Sequence, residues 1–66
     1  MHGFWYLTSA EETYVVIYNN SEHLVIKKAF IDTDNIIIDL SVQKVISAKD
    51  VTLYKRKFSS VEIVRP

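Results

Sequence analysis

Asn35-Ile36-Ile37-Ile38-Asp39-Leu40-Ser41-Val42-Gln43 decides the fold class. In an extended chain Ile36, Ile38, Leu40 and Val42 fall on one side, and Ile37, Asp39, Ser41 and Gln43 on the other. A period of two, with one side dry and one mostly wet, marks a half-buried β-strand. Outward from this stretch, further runs rich in Val, Ile, Tyr and Phe recur about every ten residues, the spacing of an all-β meander or barrel. Polar clusters separate them: Ser9-Ala10-Glu11-Glu12, Asn19-Asn20-Ser21-Glu22, Asp32-Thr33-Asp34-Asn35, Ser47-Ala48-Lys49-Asp50 and the shorter Ser59-Ser60.

Gly3 and Pro66 are the only glycine and proline, so the turns must use other residues. Asn and Asp serve because they tolerate left-handed backbone and bond their own main chain. Asn19-Asn20 is the best hairpin candidate, Asn being the usual substitute for Gly at positive φ. The expected strands are 3–8, 13–19, 23–30, 35–42, 51–57 and 60–64. Within them Val51, Leu53, Val61 and Ile63 should face the core. The expected fold is all-β: a single domain over 1–66, a small antiparallel five- or six-stranded meander or partly open barrel of the SH3 or OB kind.

Two segments carry a competing helical signal. Val42, Val45, Ile46 and Lys49 have helical spacing, and Ser41 would cap them. A strand through about Val42 and then a short turn or 3-10 element is preferred to a helix over 39–49. Ser9-x-x-Glu12 has the form of a capping box. The β-favouring run Thr13-Tyr14-Val15-Val16-Ile17-Tyr18 follows it, so it reads as a turn.

Size limits what this chain can bury. It has 66 residues and no cysteine, so neither a disulfide nor a thiolate zinc site supports it. A domain of this length buries only roughly 60% of its unfolded surface. Yet Tyr14-Val15-Val16-Ile17-Tyr18 and Phe4-Trp5-Tyr6-Leu7 have no fully polar side. A single small sheet is expected to cover only one of its faces, which leaves apolar surface for a partner.

That surplus gives the leading functional expectation, a non-enzymatic protein–protein interaction module. It would be a small regulatory protein or inhibitor, of the type phages and mobile elements encode as accessory proteins. The expected contact residues are Trp5, Tyr6, Tyr14 and Tyr18, since Trp and Tyr dominate binding hot spots. The partner would be another protein, a second copy in a homodimer included.

The alternative is a nucleic-acid-binding small β-barrel using Tyr54, Lys55, Arg56 and Lys57, where basic residues alternate with rings. Net charge is zero, which counts against it. The charge is uneven, however. Before Lys27 the charged residues are Glu11, Glu12 and Glu22, while all eight basic residues lie from Lys27 onward. Lys27-Lys28 would enlarge the basic patch if its strand lay beside residues 54–57.

Other chemistry has little support. His2 and His23 are the only histidines, and neither His23 with Ser21 nor with Ser47 makes a triad without a third group. Asp32-Thr33-Asp34-Asn35 starts like a calcium loop, but Ile37 and Gln43 stand where Gly and Glu are needed. No enzyme, metal or cofactor is expected. The start lacks the basic and long apolar segments of a signal peptide, and no run approaches a membrane span. A cytoplasmic location is therefore expected, with Met1 opening a complete small gene product.

Overall fold

The computed structural model describes residues 2–65; Met1 and Pro66 lie outside the described residues. The chain forms six strands: β1 (His2–Ser9), β2 (Glu12–Asn19), β3 (His23–Asp32), β4 (Asn35–Ser47), β5 (Tyr54–Phe58) and β6 (Ser60–Val64). They make one sheet in the order β5-β1-β2-β3-β4-β6. All neighbours are antiparallel except β4 and β6, which are parallel. The all-β expectation holds, with a curled sheet rather than a closed barrel. No helix occurs among the described residues, and β4 runs on to Ser47, so neither the helix nor the 3-10 turn near 42–49 forms.

The helical spacing there has another cause. Lys27 pairs with Gln43 but Lys28 pairs with Asp39, which leaves Leu40, Ser41 and Val42 as an unpaired bulge. The Asp39 carboxylate accepts hydrogen bonds from the Ser41 amide (2.9 Å) and hydroxyl (2.5 Å), a local turn built on an Asp side chain. Those bonds hold the Asp39 carboxyl below its ordinary range. Lys27 Nζ donates to the Leu40 carbonyl at 3.0 Å, closing the other side of the bulge. A second, smaller bulge lies in β2, where Val16 pairs with Ile26 and Tyr18 with Val25, so Ile17 is extra.

An odd number of inserted residues flips the side-chain parity of a strand. Both bulges do this. In β4 the flip sends Ile36 and Ile38 to one face and Ile46 to the other, while β1, β2 and β3 reach both faces by ordinary alternation. Two cores form on opposite faces of the same sheet. The inner face buries Val15, Ala29, Ile36, Ile38 and Phe58, with Phe4, Tyr6, Ile31, Leu40 and Val61 packed around them. The outer face buries Leu7, Tyr14, Leu24 and Ile26. The outer core is roofed by the β4–β5 connection, whose Ala48, Val51 and Leu53 pack down onto the strands. Val51 and Leu53 are thus core-facing, as their spacing predicts, but they form a crossover and not the start of a strand. Ile63, also expected in the core, is exposed near the free end of β6.

The chain therefore shelters part of each face of its own sheet. The crossover covers the outer face around Leu24 and Ile26, and apolar side chains elsewhere on the two faces, among them Phe30, Val64, Tyr18 and Val45, stay exposed.

Ser59 alone separates β5 on one edge from β6 on the other, so it ties the two edges of the sheet together. The β3–β4 turn is docked against this junction. Ser59 donates from its amide (2.8 Å) and hydroxyl (3.1 Å) to the Asp34 carbonyl, and Arg56 donates to the Thr33 carbonyl. Ser60 donates to the Asn35 side-chain carbonyl beside it.

The turns use unexpected residues. Ala10 (φ 51°) and Glu11 (φ 66°) form the two-residue β1–β2 connection, between the Ser9–Glu12 pair. Positive φ at both central positions is the type I′ requirement, set by the twist of the flanking strands. Asn19 and Asn20 do not take positive φ. Asn20 works through its side chain, whose Oδ1 accepts from the Glu22 and His23 amides at 2.8 Å each. Because an L-residue in left-handed backbone costs roughly 1–2 kcal/mol, Glu11→Gly should raise stability by about 0.5–1 kcal/mol. Urea unfolding checks this, and a loss of stability would mean the turn has another geometry.

Candidate protein-binding surface

The four aromatic residues singled out from the sequence do not gather on one surface. Tyr14 and Tyr18 would share a face in a regular strand. The extra residue Ile17 lies between them and sends them to opposite sides. Tyr14 is 5% exposed in the outer core, whereas Tyr18 is 60% exposed. The contact role expected for Tyr14 is corrected on this ground. Tyr6 points inward, half-buried against the inner core, with its ring 5.7 Å from that of Tyr54. Trp5 faces outward and is 45% exposed, with Lys55 Nζ 5.5 Å from its ring centroid.

Tyr18 has neighbours that sequence reasoning missed. Tyr18, Val25 and Val45 are directly paired across β2, β3 and β4, so they share one face of the sheet. Val45 is 61% exposed, and Ile17 at the adjoining bulge is also exposed. This row continues the inner face beyond the region that β5 and β6 enclose. The two cores sit on opposite faces and toward opposite ends of the central strands, so this corner remains open. In a regular strand Ile17 would share the face of Val15; the bulge leaves Val15 buried and Ile17 exposed.

A second open corner lies on the outer face toward the other end. There Phe30 pairs with Ile37, and Val64 pairs with Asp39. Phe30 and Val64 are exposed, but charge surrounds them. Lys28 Nζ lies 5.4 Å from the Phe30 ring centroid and 2.9 Å from a Glu12 carboxylate oxygen. That carboxylate raises the Lys28 pKa above its ordinary value. The Lys28–Glu12 pair also joins the acidic and basic halves of the chain.

The basic run is divided by strand alternation. Arg56 pairs with Phe4 and lies on the inner face; Lys55 and Lys57 pair with Trp5 and Gly3 on the outer face. Arg56 is engaged within the protein: it bonds the Thr33 carbonyl, lies 3.6 Å from the Asp34 carboxylate, and sits 5.0 Å from the Phe58 ring centroid. Two strands separate β3 from β5, so Lys27 and Lys28 do not extend the patch. Lys55, Lys57 and the exposed rings of Trp5 and Tyr54 remain available.

Among the described residues no group of three His, Cys, Asp or Glu side chains is placed to hold a metal ion. Nor, among the described residues, is any helix long and apolar enough to cross a membrane. The chain matches no family model, and neither a curated protein nor a solved structure is significantly similar to it.

The division of the basic run has a measurable consequence. Arg56→Ala should cost about 1–2 kcal/mol by freeing the β3–β4 turn from the β5–β6 junction. Lys55→Ala and Lys57→Ala should stay within about 0.5 kcal/mol of the parent, as exposed substitutions do. Thermal unfolding of the three variants checks the contrast, and equal effects would contradict it.

Proposed function

We propose that this protein is a non-enzymatic interaction module that binds another protein through the open corner formed by Ile17, Tyr18, Val25 and Val45. The supporting observation is the cross-strand row of Tyr18, Val25 and Val45, in which the two outer members are each at least 60% exposed. No loop covers it, and it contains no charged side chain. Exposed apolar side chains standing singly are ordinary, but a contiguous row with an aromatic member is a feature of interfaces. Tyr18 supplies a rigid ring with a hydroxyl for the wet rim. A second copy of the chain fits as partner, because an apolar patch without charge is compatible with itself across a two-fold axis.

Nucleic-acid binding is a second reading, favoured by the exposed Trp5 ring with Lys55 above it and Lys57 on the same face. Loss of Arg56 to internal contacts leaves it two cations, a weak electrostatic footprint.

Tyr18→Lys and Val45→Lys place charge in the row without removing buried contacts. Each should weaken self-association or partner capture at least about tenfold, equivalent to 1.4 kcal/mol, while stability stays within about 0.5 kcal/mol of the parent. Sedimentation equilibrium over a range of protein and salt concentrations checks this. An association unaffected by both variants but abolished by salt and by Trp5→Ala would contradict the proposal and favour the second reading.

A further inference from the structure

Beneath the crossover, on the face opposite the proposed protein-binding corner, the outer core opens into a cleft of about 420 Å³. That volume lies within the range of small-molecule sites, and the lining is mixed, with Thr8, Ser9 and Thr52 among its polar members. Leu7, Ile26, Ile46 and Val51 supply apolar lining. Lys44 and Tyr14 line it too, as does Asp50 from the crossover. The cleft shares no residue with the Ile17–Val45 row and is independent of it.

The Lys44 ammonium is the informative group. Its Nζ lies 3.0 Å from the Tyr14 hydroxyl oxygen and 4.9 Å from the Tyr14 ring centroid. The ion pairs among the described residues involve Lys28 and Arg56, so Lys44 has no carboxylate partner there. An ammonium carries three donors, and the tyrosine oxygen accepts one of them. Because that oxygen accepts from Lys44, the phenolic proton remains free to donate elsewhere. A cationic N–H and a neutral O–H, 3.0 Å apart in a cleft that Thr8, Ser9 and Thr52 line beside the apolar residues, match the two oxygens of one carboxylate. Asp50 on the same lining opposes a second negative charge and so disfavours a phosphate dianion.

We propose that this cleft binds a small amphipathic monocarboxylate. Its carboxylate meets Lys44 and Tyr14, and its apolar chain lies against Leu7, Ile26, Ile46 and Val51. The ligand would insert under the crossover and tie residues 50–54 to the sheet.

The test is a titration of the whole 66-residue chain with octanoate, octanol and octylamine, followed by amide NMR shifts. These probes share a tail and differ in the head group. Octanoate should shift the amides of Leu7, Ile46 and Val51 saturably and bind about tenfold more tightly than octanol, the expected scale for one charge-assisted contact. Lys44→Met should remove that advantage and leave octanol binding unchanged. Tyr14→Phe should reduce it in part, and an unperturbed amide spectrum confirms that each variant is folded. The proposal is overturned by equal or tighter binding of octanol or octylamine, by octanoate shifts outside the cleft, or by unchanged octanoate affinity in Lys44→Met. Absence of saturable octanoate binding overturns it as well. Tighter binding of an acetylated tripeptide ending in leucine would reassign the cleft to peptide termini and overturn the small-acid proposal.

Discussion

Two irregularities in the sheet decide where the side chains go. One extra residue in β2, Ile17, and three in β4, Leu40 to Val42, each reverse the alternation of their strand. Without them Tyr14 and Tyr18 would lie on one face, and Ile38 and Ile46 would lie on one face. With them, β4 gives Ile36 and Ile38 to one core and Ile46 to the other, and β2 keeps Tyr14 and Val15 inside while Ile17 and Tyr18 are left exposed. A short chain can then use apolar residues on both sides of a single sheet, because each half-face needs only a small cover. The curl, completed by β5 and β6, covers one half-face. Residues 48–53 cover the other.

The same geometry determines which surfaces remain exposed. Two covers at diagonally opposite corners leave two corners open. One is apolar and uncharged, around Tyr18 and Val45; the other is interrupted by Lys28, Glu12 and Asp39. Only the first has the composition of a contact surface. The cover over the outer face is an irregular segment anchored by the Ala48 amide to the Glu22 carbonyl (2.8 Å). It meets the sheet through Ala48, Val51 and Leu53 but leaves space beside them. The cleft next to Lys44 thus follows from roofing a sheet with a loop in place of another strand.

Much of the strand plan is legible in the sequence because β-branched and aromatic runs alternate with polar turns. The alternation of Ile36, Ile38 and Leu40 points to the inner core. The polar clusters at 9–12, 32–35 and 47–50 coincide with chain reversals. The bulge in β2 is not legible, since every residue from Tyr14 to Tyr18 suits a strand on either face. The bulge in β4 leaves a trace: Ser41 stands two residues after Asp39, and the apolar spacing changes from two to three just beyond it. That trace resembles the start of a helix, and only pairing with β3 distinguishes the two. Positive φ at Ala10, Glu11 and Thr33 is likewise hidden, because the tight connections between paired strands demand it and the residue types do not. Of the candidate surface only Tyr18 was legible. Val45 was hidden by its helical spacing, and Arg56 looked free because the turn it holds is distant in sequence.

The parity reversal at Ile17 can be measured directly by tyrosine ring NMR in the presence of a soluble paramagnetic agent. The account predicts that the Tyr14 ring resonances are protected while those of Tyr18 broaden strongly in the same sample. Equal broadening of both rings would place them on one exposed face, remove the bulge, and contradict the two-core arrangement.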